Sequence, residues 1–182
     1  AARKGVKVGA APDTVLGSGI QTARRLVDRG EAGDIVTGTA TVLSHGMEHW
    51  HPNPDFFFQP GAGPVLDIGP YYVTNLIQLV GPVRRVAAFA SIPAKERIIS
   101  SKPRAGERIP VNTPTTIHGL LEFANGAVAN ITASRVGTEK IRKMRFFQPH
   151  DYVAVDYATR HASISSLAPP TLPTAKPGVH VQ

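Results

Sequence analysis

The sequence predicts an α+β fold, in which an open and predominantly antiparallel sheet carries its helices on one face. Two segments have helical periodicity, 13–29 and 64–80, and most of the remaining chain alternates in the manner of strands. An Asn-Gly pair at 125–126 separates two alternating apolar runs and predicts a hairpin with a two-residue turn. A few helices followed mainly by strands is typical of an α+β domain.

The N-terminal third contains a short strand, a helix and a second strand. Residues 6–10 (VKVGA) predict the first strand, and Asp13 or Thr14 is placed to cap a helix that runs to about Arg29. The apolar stripe of this helix is formed by Leu16, Ile20, Ala23 and Val27. Two glycines, Gly30 and Gly33, end it, and the β-branched alternation of 34–44 predicts a strand.

The middle of the chain begins with a segment rich in His, Pro, Phe and Gly at 45–63, too long for an ordinary connection and therefore interpreted as functional. Pro64 opens the helix at 64–80 and Gly81 closes it. A strand at 83–92 and a polar, basic crossover at 93–112 follow. The remaining predicted strands are 116–123, 127–134, 141–147, 152–157 and 161–165, and from Leu167 onward a Pro-rich tail is expected.

Composition limits the class of protein. A chain of 182 residues is long enough for one domain with a sizeable core, and the absence of Cys excludes disulfides and thiolate metal sites. No apolar run is long enough to span a bilayer and there is no signal-peptide pattern, so a cytoplasmic location and no membrane association are expected.

The net charge is +7, from 20 Lys and Arg against 13 acids, which suits either an anionic partner or a solvated basic surface. The basic residues are scattered, and no nucleic-acid motif accompanies the densest group, which comprises Arg135, Lys140, Arg142, Lys143 and Arg145. A solvated surface is the preferred interpretation, and no nucleic acid is expected as a partner.

The helix at 64–80 carries the main candidate site. It is apolar around most of its circumference, yet a polar stripe crosses it at Asp67, Tyr71, Asn75 and Gln78. A carboxylate there must be paired, solvated or functional, because an unpaired buried charge is costly. Gly69-Pro70 predicts an irregular first turn. The structural alternatives are a carboxylate that bonds backbone amides at the helix start and a core tyrosine with a satisfied hydroxyl.

The preceding loop supplies candidate substrate ligands. We expect these residues to line a pocket for a sugar or polyol, which would stack on Trp50 and bond through its hydroxyls to His45, His51, Asn53 and, from the helix, Asn75. Three His within seven residues also suit a metal, but their spacing matches no established motif and no paired acid supports them, so no metal site is predicted. His49 is equally well explained as an incidental surface residue.

The stretches from Gly9 to Val36 and from His49 to Val86, and above all GAGPVLDIGPYY, resemble the C-terminal half of the Gfo/Idh/MocA oxidoreductases. The resemblance covers roughly 5–165 and implies the C-terminal fold of a glucose-fructose-oxidoreductase-like enzyme. It places Asp67 and Gly69 in the motif helix, with Tyr71 where His is usual, as in dihydrodiol-dehydrogenase-like members. It also implies NAD or NADP as the cofactor of the full-length enzyme and Tyr71 as the acid/base toward the substrate hydroxyl, with Asp67 beside it.

The sequence departs from this family in three ways. It contains no Gly-x-Gly-x-x-Gly and no Glu-Lys-Pro, and from about Gly137 it resembles a different branch. We therefore interpret 1–12 as the last strand of a dinucleotide-binding domain, 13–166 as the substrate-binding and oligomerisation domain, and 167–182 as the tail. Such a truncated chain is expected to be inactive alone and to bind NAD(H) or NADP(H) weakly or not at all.

Three functions stay open at this point. The first is the substrate-binding part of an NAD(P)-dependent sugar or polyol oxidoreductase, and the second is a non-enzymatic dimerisation or ligand-binding module derived from it. The third, weaker hypothesis is a nucleic-acid-binding domain. A homo-oligomer through the open sheet face is expected because the adjacent Phe146 and Phe147 must point to opposite faces of their strand, leaving one away from the helices.

Overall fold

The computed structural model describes residues 2–9, 12–31, 33–167 and 179–181. Its regular elements are α1 (Ser18–Asp28), β1 (Thr37–Leu43), α2 (Pro64–Asp67), α3 (Gly69–Val80), β2 (Val83–Ser91), β3 (Glu96–Ile98), β4 (Arg108–Pro110), β5 (Thr116–Phe123), β6 (Val128–Ser134), β7 (Ile141–Phe147), β8 (Asp151–Asp156), β9 (His161–Leu167) and β10 (Val179–Val181).

The predicted fold class is confirmed. One eight-stranded sheet has the order β10-β9-β8-β7-β1-β6-β5-β2, and every neighbouring pair is antiparallel except β1 and β6, which run parallel. The five longest predicted strands all lie in this sheet. β1 sits at its centre, between β6 and β7.

The helices cover one face of the sheet, called here the helix face. Leu76 and Leu79 of α3 pack with alternate residues of the central strands, among them Val42, Leu121 and Ala129, in one apolar core. The intervening residues point to the other side, called here the open face, where Leu120 and Val128 are 50% and 42% exposed. This alternation follows from the two-residue repeat of a strand.

Phe146 and Phe147 divide between the two faces as predicted. Phe146 is buried in the core, whereas Phe147 packs its ring against Tyr152, with centroids 5.0 Å apart. The open face is less apolar than expected, because Thr39, Thr41 and Thr132 stand among its apolar residues. It is a mixed surface with apolar islands.

The N-terminal predictions need correction. Residues 6–9 form no strand, and residue 10 lies outside the described residues. Val6 and Val8 are 58% and 78% exposed, so the alternation there has no neighbouring strand to pair with. The first helix begins at Ser18 rather than at 13 or 14, because residues 14–16 form a separate 3-10 turn and Gly17 is extended.

The predicted irregularity in the helix at 64–80 is confirmed as a break. α2 ends at Asp67, Ile68 separates it from α3, and Pro70 lies in the first turn of α3, where its missing N–H costs little. Gly81 closes α3 with a φ of 114°. Asp67 and Tyr71 therefore lie on either side of the break.

The β5–β6 hairpin is confirmed, but its turn is longer than predicted. The Gly126 N–H donates to the Phe123 carbonyl and the Phe123 N–H donates to the Ala127 carbonyl, which leaves three residues, 124–126, in the connection. Of these, Gly126 alone has a positive φ, 89°. This is the turn in which a left-handed glycine follows a type I turn.

The crossover at 93–112 contains an unpredicted unit. β3 and β4 pair as a two-stranded antiparallel ribbon. Beneath the ribbon, Phe58 of the long loop forms a second small core with Ile99, Ile109 and Val111. The crossover thus holds the loop at 45–63 in place.

At the C-terminal end, β8 and β9 confirm the predicted strands. β10 adds a short strand within the predicted tail, and residues 168–178 and 182 of that tail lie outside the described residues. None of the described helices is long and apolar enough to cross a membrane.

Candidate functional site

The candidate site is built around four charged side chains, Glu48, Asp67, Arg97 and Arg135, called here the arginine–carboxylate cluster. They come from the long loop, the end of α2, β3 and the end of β6. Glu48 and Arg135 are each 1% exposed. Buried charges of this kind are found only where they are paired.

Asp67 is paired with Arg135. The Arg135 Nη2 donates to Asp67 Oδ2 at 2.9 Å, and the Asp67 side chain stays 31% exposed. Its other oxygen, Oδ1, has no hydrogen bond to any described residue. The sequence predicts that this carboxylate is paired, solvated, functional or bonded to backbone amides at the helix start. The structure shows the ion pair, and no bond from the Asp67 carboxylate to the described helix backbone.

Arg135 was not among the sequence-predicted site residues. The Arg135 guanidinium also donates to the Phe57 carbonyl and lies over the rings of Phe57 and Phe58, 5.2 and 5.7 Å from their centroids. Burial lowers the pKa of this guanidinium, and the nearby Asp67 carboxylate opposes that shift. Side chains of β6 alternate between the two faces of the sheet. Because Ala129 and Ala133 lie on the helix face, Arg135 is expected on the same face, where a buried charge needs an acidic partner.

The second ion pair of the cluster joins Arg97 and Glu48. The Arg97 Nε contacts Glu48 Oε1 at 3.2 Å, and its Nη2 donates to the backbone carbonyls of Arg135 and, at 3.2 Å, of His45. Glu48 Oε2 is buried without a partner among the described residues. Arg97 thus links the loop to the end of β6.

Tyr71 is half-buried on the first turn of α3 and packs against the apolar core. Its hydroxyl forms no hydrogen bond with another described residue. Its position one turn beyond Asp67 agrees with the predicted stripe. Its role as an acid/base stays a prediction.

Asn75 lies deeper than predicted. It is 2% exposed, its amide donates to the Tyr157 hydroxyl at 3.3 Å, and its Oδ1 has no partner among the described residues. Burial raises the pKa of Tyr157 and, more strongly, that of the adjacent Tyr72. The geometry places Asn75 in the core beneath the sheet rather than in the loop region, and its contact with a substrate stays a prediction.

The predicted loop residues lie close together. His51 packs edge-on against Trp50 at 5.4 Å and against Phe57 at 5.2 Å, and its Nδ1 accepts the Asn53 N–H at 3.0 Å. The Trp50 ring is 64% exposed and open to stacking, and His45 is also exposed. Trp50, His51 and Asn53 therefore lie together beside Phe57, and their contact with a sugar stays a prediction.

Asn53 and His49 have structural partners as well. The Arg104 Nη1 donates to Asn53 Oδ1 at 3.2 Å and also binds Asp55, whose pKa it lowers. His49 Nδ1 lies 2.8 Å from Ser100 Oγ, which ties the loop to the crossover. Among the described residues, no three His, Asp or Glu side chains come together in a group suited to a metal.

A cavity of about 820 Å³ lies elsewhere, between α1 and strands β7 to β9. Val27, Phe146, Val155 and Ile164 are among the residues that line it, and none of the predicted site residues does. The predicted cavity shared by Asp67, Tyr71 and His45 or His51 is therefore not this one and stays a prediction. The chemistry of the site rests on the arginine–carboxylate cluster and not on this cavity.

Comparison with known proteins identifies the family. The family described as the GFO/IDH/MocA C-terminal domain matches residues 20–147, more than half of the chain. The chain belongs to this family. The resemblance seen in the motif helix and the observed fold agree with the membership.

Solved structures share the fold of this GFO/IDH/MocA domain. Levoglucosan dehydrogenase in its apo form has a TM-score of 0.68 and 21% identity, covering 88% of this chain and 43% of that chain. An NAD binding oxidoreductase from Klebsiella pneumoniae has a TM-score of 0.74 and 20% identity, covering 99% of this chain and 48% of that chain. A super-repressor mutant of Gal80p from Saccharomyces cerevisiae has a TM-score of 0.79 and 15% identity, covering 100% of this chain and 47% of that chain.

These likenesses show the fold alone, and this chain spans less than half the length of each of the three proteins. Levoglucosan dehydrogenase has also been solved with NADH together with L-sorbose or levoglucosan. No curated protein matches the sequence.

Proposed function

We propose that this chain is the substrate-binding part of an NAD(P)-dependent oxidoreductase that acts on a sugar, a polyol or a related hydroxyl or carbonyl compound. The observation that carries the proposal is the state of Asp67. The buried Arg135 holds one of its oxygens, the other has no hydrogen bond to a described residue, and the side chain is 31% exposed. A carboxylate held in this way is a preorganised acceptor for a substrate hydroxyl.

The two residues have different chemical roles in this proposal. Asp67 already accepts a hydrogen bond from an arginine, so it acts as a charged acceptor that orients a hydroxyl group and not as a proton donor. The Tyr71 hydroxyl, which has no described partner, donates or takes the hydroxyl proton. Tyr at this position is the feature shared with dihydrodiol-dehydrogenase-like members.

A nicotinamide cofactor would supply or take the hydride in such a reaction. The described residues do not fit its phosphates, because the glycines that open α1, Gly17 and Gly19, follow a 3-10 turn rather than a strand. The whole enzyme would therefore hold NAD or NADP outside this chain. We expect calorimetric titration of the chain with NADH or NADPH to show no micromolar affinity.

The aromatic loop supports a sugar-like substrate. Trp50 is exposed, His51 packs against its ring, and the Asn53 N–H donates to His51. An exposed aromatic ring can stack on a sugar, and imidazole nitrogens and amides bind hydroxyl groups. The structures of levoglucosan dehydrogenase with L-sorbose and with levoglucosan concern sugars, and we extend this substrate class to the present chain as part of the proposal.

Saturation-transfer NMR with L-sorbose and levoglucosan tests the proposal. Wild-type chain is expected to transfer saturation to at least one of the two sugars, and Asp67→Asn and Tyr71→Phe are expected to reduce the transfer. Tyr152→Phe removes a hydroxyl from the open face and serves as the matched control. Equal transfer from all four proteins would reject the assigned residues.

A non-enzymatic module is the second candidate function. It is favoured by the likeness to the super-repressor mutant of Gal80p, since one fold serves several functions. A wild-type chain that binds neither sugar but self-associates would support this candidate over the first.

We also propose that the open face joins two copies of the chain. Phe89 on the edge strand β2 is 87% exposed, and Leu120 on the neighbouring strand is 50% exposed on the same face. Apolar islands among threonines are typical of a surface that associates without being wholly hydrophobic.

A further inference from the structure

Arg135 is the largest side chain among those that are fully buried, and it occupies an unusual place. Its backbone N–H donates to the Thr115 carbonyl, which extends the β5–β6 pairing by one residue. Its side chain then passes under the long loop and reaches the end of α2, 68 residues earlier in the chain. Three parts of the candidate site meet at one guanidinium.

The pairing with Asp67 is asymmetric. The arginine side chain is 1% exposed and the carboxylate side chain 31% exposed, so the cation approaches from inside and the anion faces outward. Arg135 uses Oδ2 alone and leaves Oδ1 without a described partner. A carboxylate held by one oxygen has its second oxygen aimed in a fixed direction.

The same guanidinium also fixes the loop. Its Nη1 donates to the Phe57 carbonyl, and its plane lies over the rings of Phe57 and Phe58. His51, a predicted substrate ligand, packs its ring on Phe57 at 5.2 Å. A movement of Arg135 would therefore shift Asp67 and the aromatic side of the site together.

Stability alone is a poor explanation for such a pair. Replacing a buried ion pair by apolar residues is often neutral or stabilising, because two charges must be stripped of water. Burial in fact lowers the pKa of this guanidinium, which is a sign of that cost. The planar fork of arginine, in contrast, can bond a carboxylate and a carbonyl at once, which the point charge of lysine cannot reproduce.

We propose that Arg135 is a positioning residue, which holds the Asp67 carboxylate with Oδ1 outward and locks the Phe57 segment of the loop against it. The inference rests on the proposed function for its consequence, substrate binding. The positioning itself is a property of the chain and can be measured without substrate.

Three variants test this. Arg135→Met removes both hydrogen bonds at similar length, and Arg135→Lys keeps the charge but not the fork. Arg24→Met is the matched control, because Arg24 of α1 also donates to a carboxylate, Asp28, and to a backbone carbonyl, that of Gln78, yet lies outside the candidate site. Crystal structures of the wild type and the variants give the Asp67 side-chain torsion, and NMR titration gives the affinity for L-sorbose or levoglucosan in samples shown to be folded.

In Arg135→Met, the Asp67 carboxylate is expected to turn away from its wild-type position, and sugar affinity to fall about tenfold or more, as for a lost charge-assisted contact. Arg135→Lys is expected to keep Asp67 near its place, to release Phe57 and to bind with intermediate affinity. Arg24→Met should leave Asp67 unmoved and the affinity within about threefold of the wild type.

An unmoved Asp67 in Arg135→Met overturns the proposal, as does a loss of affinity in Arg24→Met equal to that in Arg135→Met. A wild-type chain that binds neither sugar rejects the proposed function alone, since the torsion of Asp67 still decides the positioning. Should Arg135→Met fail to fold, the release of Phe57 in Arg135→Lys carries the decision, and an undisturbed Phe57 there counts against the proposal.

Discussion

At the scale of single residues, burial separates the ion pairs that matter from those that do not. Arg135 pairs with Asp67 at the bottom of the candidate site, whereas Arg85 pairs with Glu122 on the open face with 74% of its side chain exposed. Both are arginine–carboxylate pairs. Water reaches both partners of the second pair, whereas in the first pair it reaches Asp67 but not Arg135, so their contributions to stability differ.

We expect Arg135→Met to lower the free energy of unfolding by about 3 kcal/mol, the low end for breaking a buried pair, because Asp67 keeps contact with water. Arg85→Met should cost about 0–1 kcal/mol, as exposed pairs do. Urea denaturation followed by circular dichroism measures both. Similar losses of unfolding free energy in the two variants would mean that Arg135 is not shielded from water in the folded chain.

The buried tyrosines predict a loss of stability in alkali. Burial raises the pKa of Tyr72 and of Tyr157 above their ordinary value, so the folded chain keeps protons that the unfolded chain releases. Stability is therefore independent of these groups below about pH 10 and declines above it, by about 1.4 kcal/mol per pH unit for each retained proton.

Tyr72→Phe removes one of these protons and should make the decline shallower by about 1.4 kcal/mol per pH unit. Denaturation curves between pH 9 and 12 give the slopes of the wild type and the variant. Parallel slopes would show that Tyr72 ionises normally in the folded chain.

At the scale of elements, turns and helix breaks are the features that neighbouring residues in the sequence can predict. The hairpin and the break at Gly69-Pro70 followed from the sequence, because both depend on neighbouring residues. The two short strands of the crossover did not, since a strand of three residues, as in Glu96–Ile98, is too short to show alternation. In contrast, residues 6–9 alternate as a strand does but form none, because no described strand lies beside them to pair with.

Gly126 and Gly19 make a matched pair for a stability test. Gly126 has a φ of 89°, where a side chain is strained, whereas Gly19 lies in α1 and a Cβ added there would meet no atom within 4 Å. We expect Gly126→Ala to cost about 1–2 kcal/mol and Gly19→Ala to gain about 0.5–1 kcal/mol. Thermal unfolding compares them, and a stabilising Gly126→Ala would contradict the observed turn.

The candidate site shows where sequence reasoning stops. Asp67 and Tyr71 were proposed as site residues because they share the predicted helix at 64–80, and the loop residues were proposed because they are neighbours in the chain. Arg135 was missed because its contact with Asp67 spans 68 residues and depends on how β6 lies against α2. Long-range pairing of this kind follows from the assembled sheet and not from periodicity.

At the scale of the whole molecule, β2 offers a way to test association. Phe89 pairs with His118 and lies on the open face, whereas Val86 of the same strand pairs with Leu121 and lies on the helix face. Phe89 and Val86 are both largely exposed. Sedimentation at tens of micromolar is expected to show a dimer or larger oligomer for the wild type and for Val86→Glu, and a monomer for Phe89→Glu. A monomeric, folded wild type would exclude association through the open face.

The parallel pairing of β1 with β6 sets the order in which the chain can assemble. Thr37 pairs with Val128, 91 residues later, whereas β5 with β6, and β7 with β8, are joined by short connections. At a synthesis rate of about 5–20 residues per second, β1 leaves the ribosome about 5–18 s before its neighbour exists. The local hairpins can form within microseconds of their own completion, so the strand made first is inserted last. The centre of the sheet is thus the last part of it to be completed, and β1 stays unpaired while the 91 residues that follow Thr37 are made.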